Sequence, residues 1–277
     1  MIRERIRNLR DVPTLPVVIT KLINILKNDN ASVQDLAEVI RRDQALASRI
    51  VGVANSPFFG FRGKINSVEQ AVLMLGFDLL KSIALSVSIF SFFPIPYPML
   101  KKMWSHSYQV GLLAGFLGAR IPGGSAGVCF LGGLLHDVGR AVFISFPDIG
   151  PLAEQVKGLP SKRADELLRA ETDLFECTHA EAGRWFLEDL CFPEEILLPV
   201  NHHHRIGHES GHQAVVTAVF LAEGITGLAN TNGQTDGEWG EEQKAVFDRH
   251  GFSKDDLREI RLFLLREAAA ADNYFGN

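Results

Sequence analysis

Seven histidine and carboxylate side chains in this chain fall on inward helix faces or at helix ends. They are His106, His136, Asp137, His179, His203, His204 and Glu223. Imidazole is a common metal ligand. A carboxylate among apolar residues is costly to bury unless something positive faces it. The adjacent pair His136-Asp137 ends the apolar run Gly132-Gly133-Leu134-Leu135, and Val138-Gly139-Arg140 follows at once. A bare His-Asp pair arises by chance in many chains, so its weight depends on the company it keeps.

The elements that must position these residues all read as helices. His106 shares a face with Met103, Val110, Leu113 and Leu117 on a helix from Met99 to about Arg120. Taken alone, such a residue is more often a satisfied core histidine than a ligand. Ser125 can cap the next helix, which carries Val128, Leu131, Leu134 and Leu135 into His136-Asp137. Helices with caps at Asp148 and Ser161 follow. The second of these, Ser161 to Glu171, is strongly charged and reads as surface. Thr178 with Glu181 forms a capping box, and His179 is the first residue inside it. Ala182 and Gly183 beside His179 leave room for a ligand or a close helix. Pro193 opens a short helix, Glu194 to Val200, that runs into Asn201-His202-His203-His204-Arg205. Three successive histidines cannot all face one way, so at most two meet a common site. Glu223 lies on a helix from about Gln213 to Leu228, among Val216, Val219, Phe220 and Gly227. Either a partner faces it, or it sits at the edge of the stripe and reaches water. His208, His212 and His250 lie in polar surroundings and read as surface residues.

The first third carries no visible chemistry. Pro13-Thr14-Leu15-Pro16 is an extended lead-in. Ser32 with Asp35, Asp43, and Ser67 with Gln70 are helix starts. Asn55-Ser56-Pro57 and Gly60 to Gly63 break the pattern, and Gly76 stops a helix. Leu79 to Phe93 is nearly all apolar and so buried on most sides. No strand-like alternation occurs in this third. The proline-rich segment Phe93 to Pro98 marks a boundary. The expected fold class is all-α: an N-terminal helical bundle over residues 1–95, a helical domain over 96–229, and a tail over 230–277. That tail opens on a Gly-, Asn- and Thr-rich loop. It closes with helices Glu241 to His250 and Ser253 to about Ala271.

With 277 residues, 46% hydrophobic and 22% charged, the composition is globular. A net charge of −5 gives no support to a nucleic-acid binder. Cys129, Cys177 and Cys191 have no metal-type spacing and read as buried, reduced thiols. Charges at the N-terminus fall where a signal peptide needs an apolar centre. The longest apolar stretch, Ser82 to Phe93, is shorter than the ~20 residues a membrane span requires. The expected setting is cytoplasmic, with no membrane partner.

The order His, His-Asp, His, His-His, acid on a helical background resembles the HD superfamily of metal-dependent phosphohydrolases. Leu15-Pro16, Ala54-Asn55-Ser56 and the helix Ser67 to Gly76 resemble its HDOD subgroup. The resemblance covers roughly Val12 to Leu228. It implies an HD-type helical domain packed on an N-terminal HDOD subdomain. It implies His106, His136, Asp137 and Glu223 for one metal, and His179, His203 and His204 for a second, with Asp137 bridging. An imidazole–carboxylate set suits a divalent transition metal, Fe or Mn first and then Zn or Ni, better than Mg or Ca. Two such ions could activate water and clamp a phosphate. Asp137 and Arg140 would then be the catalytic residues, with Arg140 pairing with phosphate oxygens.

Two departures bear on activity. Family enzymes end the set with Asp, whereas this chain has Glu223, and catalytic constellations tolerate only ~0.5 Å of error. The HD-GYP relatives, which cleave cyclic dinucleotides, carry Gly-Tyr-Pro after the paired histidines. Here Arg205-Ile206-Gly207-His208-Glu209 follows, so that activity is not supported. HDOD proteins as a group look like signalling modules. The expected function is therefore a signalling or regulatory module that retains an HD-type metal site. Its partner would be a signalling protein or a phosphate-containing small ligand, and self-association could run through the C-terminal helices. The alternative is an active metal-dependent phosphohydrolase acting on a nucleotide or other phosphate ester. The bland reading keeps the histidines for packing alone. No receiver, cyclase or DNA-binding segment is recognisable, which implies that input and output act in trans.

Overall fold

The computed structural model describes residues 2–8, 16–28, 30–55, 64–157, 164–206, 212–229, 241–260 and 262. Among the described residues the chain is helical and contains no strand. The first helices are α1 (Ile2–Asn8), α2 (Val17–Lys27), α3 (Val33–Arg41), α4 (Gln44–Ala54), α5 (Val68–Leu75) and α6 (Phe77–Phe92). Then come α7 (Tyr97–Gly118), α8 (Ala126–Leu135), α9 (Val138–Ser145), α10 (Gly150–Lys157) and α11 (Ala164–Phe175). The last are α12 (His179–Asp189), α13 (Glu194–His202), α14 (Gln213–Ala229) and α15 (Glu241–Arg249).

Local chemistry explains most boundaries. Ser32 and Asp35 form a reciprocal capping box at α3, with bonds of 3.1 and 2.9 Å. Asp43 accepts from the Leu46 amide, and Ser67 from the Gln70 amide. Gly76 ends α5 at φ 81, a left-handed backbone that glycine adopts without cost, and α6 starts immediately. Thr178 and Glu181 cap α12 in the same reciprocal way. Replacing Thr178 with Ala is expected to cost ~1 kcal/mol. That lowers the melting temperature by about 2–4 °C, which differential scanning calorimetry would register.

α6 is the post on which the N-terminal helices meet the rest. It packs against α2, α4 and α5 on one side and α8 on the other. One apolar core runs from Ile2 to Val200 through all of these helices. A second core joins α7 and α14 to Val246, Phe247, Phe252 and Ile260. The Ser253–Asp256 capping box is formed, with bonds of 2.8 and 3.1 Å. The architecture is thus the expected N-terminal helical bundle packed on a second helical unit.

Several sequence expectations are corrected. α10 begins at Gly150, and the Asp148 carboxylate does not cap it but pairs with Arg5 at 2.6 Å. Ser125 stands at the start of α8, yet its side chain makes no capping bond. Cys129 and Cys177 are buried, but Cys191 is exposed, because it occupies the left-handed turn (φ 59) that follows α12. Ser82 to Phe93 is not the segment that reaches span length; the one that does carries His136, Asp137 and Arg140 within it. Ala126–Ser145, which is α8 and α9 together, has the length and hydropathy of a membrane span. However, 78% of that window is buried inside the protein, as in a core helix. His212 is exposed, as expected, and His250 is half-buried. The lead-in 13–15, the break at 56–63, the cap at Ser161, His208, the loop 230–240 and the end of the last helix lie outside the described residues.

Candidate metal centre

A break between two apolar helices creates the centre. His136 closes α8 and Asp137 precedes α9, so two polar residues enter the core side by side. His136 is fully buried and Asp137 is 7% exposed. Glycines decide how near the other elements come. A Cβ at Gly139 would lie 1.8 Å from the His179 carbonyl oxygen and 2.6 Å from the Gly183 nitrogen. The backbones of α9 and α12 therefore touch directly, which delivers His179 to Asp137. A Cβ at Gly133 would lie 2.7 Å from the Gly111 Cα. That second close crossing, of α8 and α7, brings His106 beside His136, with ring centroids 5.2 Å apart. α13 packs on α8 through Pro199 against Gly132, and the turn that follows its last residue, His202, presents His203 and His204.

The seven expected side chains meet in one cluster. Asp137 Oδ1 lies 3.2 Å from His179 Nε2 and 3.6 Å from His203 Nε2. His179 Nε2 is 3.1 Å from Nε2 of both His203 and His204. On the other side, Asp137 Oδ2 lies 3.7 Å from His136 Nε2 and 3.8 Å from His106 Nε2. Glu223 Oε2 is 3.0 Å from His106 Nε2 and 3.4 Å from His136 Nε2. Glu223 is therefore partnered within the site, which resolves the alternative left open by its apolar stripe. Two ligand-sized groups result: Asp137, His179, His203 and His204, and His106, His136 and Asp137. Each could hold a metal ion, and Asp137 belongs to both. His202 turns away and meets Asn201 instead, so two of the three successive histidines enter the site.

The hydrogen bonds behind the rings show that the donor set suits a cation. His136 Nδ1 lies 2.7 Å from the Gly133 carbonyl, and His203 Nδ1 lies 2.8 Å from the Val200 carbonyl. His179 Nδ1 lies 2.7 Å from Glu171 Oε2. Carbonyls and carboxylates only accept, so each of these rings offers a proton from Nδ1, and its Nε2 is the atom left to meet either the inner carboxylates or a metal ion. Burial and Arg140 push the His179 imidazole down, but Glu171 and Asp137 outweigh them and raise it, so without a cation a proton on Nε2 takes the place a metal ion would fill. With both rings neutral, His179 and His203 would meet lone pair to lone pair. Buried His136 Nε2 and Glu223 Oε2 face each other at 3.4 Å without a well-aligned hydrogen bond, so Glu223 is partnered by charge rather than by a directed bond. Inward-facing lone pairs and orphaned acceptors are what a bound cation would satisfy.

Electrostatics follow the same layout. Burial pushes the Asp137 carboxyl up, but Arg140 and then His136, His179 and His203 outweigh it and hold it well below the usual range. Arg140 Nε donates to Asp137 Oδ1 at 2.8 Å. Burial also opposes ionisation of Glu223, and His106 and His136 overcome it, again well below the usual range. Burial depresses His203 to about 4, and burial with His203 and His179 nearby also holds His204 well below the usual histidine range. Both rings are therefore neutral near pH 7, the form that binds metal.

One residue of the site was missed in the sequence. Glu171 sits on the charged helix read as surface, yet it is 4% exposed and bonds His179. Only one stripe of α11 is dry: Leu168, Glu171 and Phe175 are its buried residues. Their spacing was the available signal. Charge count hid it, because most charges on that helix do face water.

The family model for the HDOD domain matches residues 12–206. The chain belongs to the HDOD family. Six of the seven clustered residues lie within the match, and Glu223 lies beyond it. A curated relative of this HDOD chain is an uncharacterized protein of Treponema pallidum (strain Nichols), 24% identical over 201 residues. The alignment covers 72% of this chain and 38% of that protein, so the chain spans well under half of its relative. A candidate signal transduction protein from Marinobacter aquaeolei VT8 has a similar structure, with TM-score 0.75 and 24% identity. That match covers 95% of this chain and 60% of the other. A candidate phosphohydrolase from Shewanella amazonensis SB2B gives 0.74 at 17% identity, over 98% and 97% of the two chains. An HDOD domain protein with unknown function from Geobacter sulfurreducens gives 0.64 at 25% identity, over 95% and 98%. The shared fold is that of the HDOD group.

Proposed function

We propose that this HDOD chain is a signalling or regulatory module built around a divalent metal centre. One observation carries the reading: buried imidazole nitrogens whose protons are committed elsewhere face one another and a carboxylate shared by two ligand groups. In this reading His179, His203, His204 and Asp137 hold one ion. His106, His136, Asp137 and Glu223 hold a second. Fe or Mn is favoured, with Zn or Ni next. When bound, such an ion supplies Lewis-acid polarisation of an oxygen ligand such as a phosphate. The residues of the chain do the rest. Arg140 holds Asp137 from behind. His106, His204 and Glu223 are the partly exposed members of the set, with 26% of the His106 side chain and 18% of the Glu223 side chain open. They form the side from which a phosphate-containing ligand would enter. From that position behind Asp137, the Arg140 charge would favour an anionic ligand at the centre through its field.

The division into 1–95, 96–229 and 230–277, the cytoplasmic setting, a signalling-protein partner and self-association through the C-terminal helices belong to the same proposal. A second reading, hydrolysis of a phosphate ester, is favoured by that open side next to the shared Asp137. Elemental analysis of purified protein loaded with Fe or Mn tests the metal centre. On the order of one to two ions per chain is expected, and none after loading refutes it. Assays on phosphate esters separate the two readings. A phosphohydrolase loses turnover in His136→Ala, whereas a purely regulatory module shows no turnover to lose.

A further inference from the structure

Glu171 precedes His179 by eight residues, across the turn from α11 to α12. α11 is pinned there by Phe175, whose ring packs on Phe143 of α9 with centroids 4.9 Å apart. Among the described residues, the hydrogen bonds of the Glu171 carboxylate go to His179, and Arg140 adds charge nearby. Glu171 Oε2 accepts from the His179 backbone N–H at 2.9 Å and from Nδ1 at 2.7 Å, and its Oε1 lies 2.9 Å from Nδ1. The backbone bond satisfies a first-turn amide that has no partner within α12, and negative charge is favourable at that helix end. The side-chain bond leaves the ring one way to sit, with Nδ1 towards Glu171 and Nε2 towards Asp137, His203 and His204.

We propose that Glu171 is a positioning residue for the metal centre: it holds His179 as the Nδ1–H tautomer and aims the Nε2 lone pair into the cluster. The consequence for metal affinity rests on the metal-centre reading; the hold on the ring does not. An ionised carboxylate is acceptor-only, so Glu171, with both oxygens within 2.9 Å of Nδ1, favours the proton there over the competing acceptor Asp137 Oδ1, 3.2 Å from Nε2. It also makes the imidazole a stronger donor to a metal, as carboxylate partners of ligand histidines do. Glutamine at this position keeps one acceptor for the ring and loses the charge. Alanine loses both.

Two measurements on the full chain test this. The first is long-range 1H–15N NMR of metal-free protein at alkaline pH, where the ring is neutral. The His179 proton is expected on Nδ1 in the wild type and in Glu171→Gln, and distributed over both nitrogens in Glu171→Ala. The second is a chelator-competition titration with zinc. Glu171→Gln is expected to bind roughly 10-fold more weakly, and Glu171→Ala roughly 100-fold more weakly. An unchanged tautomer together with wild-type zinc affinity in Glu171→Ala overturns the proposal, even if its melting temperature drops, because that pattern describes a stabilising residue only. Should Glu171→Ala not fold, wild-type zinc affinity in Glu171→Gln overturns it equally. Wild-type protein that binds no zinc, Fe or Mn removes the metal-centre reading instead. In that case the tautomer measurement alone decides whether Glu171 holds the ring.

Discussion

Asp137→Asn is expected to strip both ions from the chain while leaving it folded. The two oxygens of Asp137 face different imidazoles, Oδ1 towards His179 and His203 and Oδ2 towards His136 and His106. Asparagine keeps the shape but replaces one oxygen with an NH2 group, whose hydrogens point at whichever set it faces. The shared negative charge is lost as well. Affinity is expected to fall more than about 100-fold, since even partners one step removed from the metal are worth 10–100-fold. Elemental analysis after loading and desalting reads this directly. Calorimetry gives an independent check. Metal at a hundred times its dissociation constant stabilises the wild type by about 2.7 kcal/mol, and that increment should vanish in the variant. The metal-free variant should itself be weaker by ~3 kcal/mol, because Arg140 loses its buried counter-ion. Stoichiometric metal in Asp137→Asn would exclude Asp137 as the shared ligand.

Gly139→Ala should be the most damaging single methyl group in the protein. Its Cβ would sit 1.8 Å from the His179 carbonyl oxygen, 2.7 Å from the His179 carbonyl carbon and 2.6 Å from the Gly183 nitrogen. All three are backbone atoms, so no rotamer change relieves the clash. α9 and α12 must part by about 1 Å, and His179 then leaves Asp137. Overpacking typically costs 1–3 kcal/mol, and a backbone-on-backbone case belongs at or above the top of that range. A loss of ~3 kcal/mol lowers the melting temperature by roughly 6–12 °C. Metal binding should fall with it. Gly123→Ala is the control. That glycine has φ +79 and nothing within 4 Å of an added Cβ, so it should cost only ~1 kcal/mol of backbone strain and leave metal binding intact. Equal metal affinity in Gly139→Ala and wild type would mean that the α9–α12 contact does not set the site.

The helices were legible because their signals are local. Ser32, Asp43, Ser67 and Thr178 sit where capping requires an acceptor, and each makes the expected bond. Charge-rich α11 misled for the opposite reason. The count of charged residues describes a helix as a whole, whereas burial selects one stripe of it, Leu168, Glu171 and Phe175. Asp148 misled because a carboxylate before a helix can cap it or pair elsewhere, and the competitor, Arg5, comes from the far N-terminus.

What the sequence by itself determined was the all-helical class, most of the helix starts, and seven residues whose chemistry suits one site. Residue type and spacing along one helix carry that information. Only the tertiary structure decided that these seven meet and that His202 does not. It also decided that Arg140 is committed to Asp137 and that Glu171 stands behind His179. The physical reason is that periodicity records which side of a helix is apolar, not what lies across from it. Separations near 3 Å between α7, α8, α12, α13 and α14 depend on how closely backbones approach, and here glycine pairs such as Gly139–Gly183 and Gly111–Gly133 set that distance.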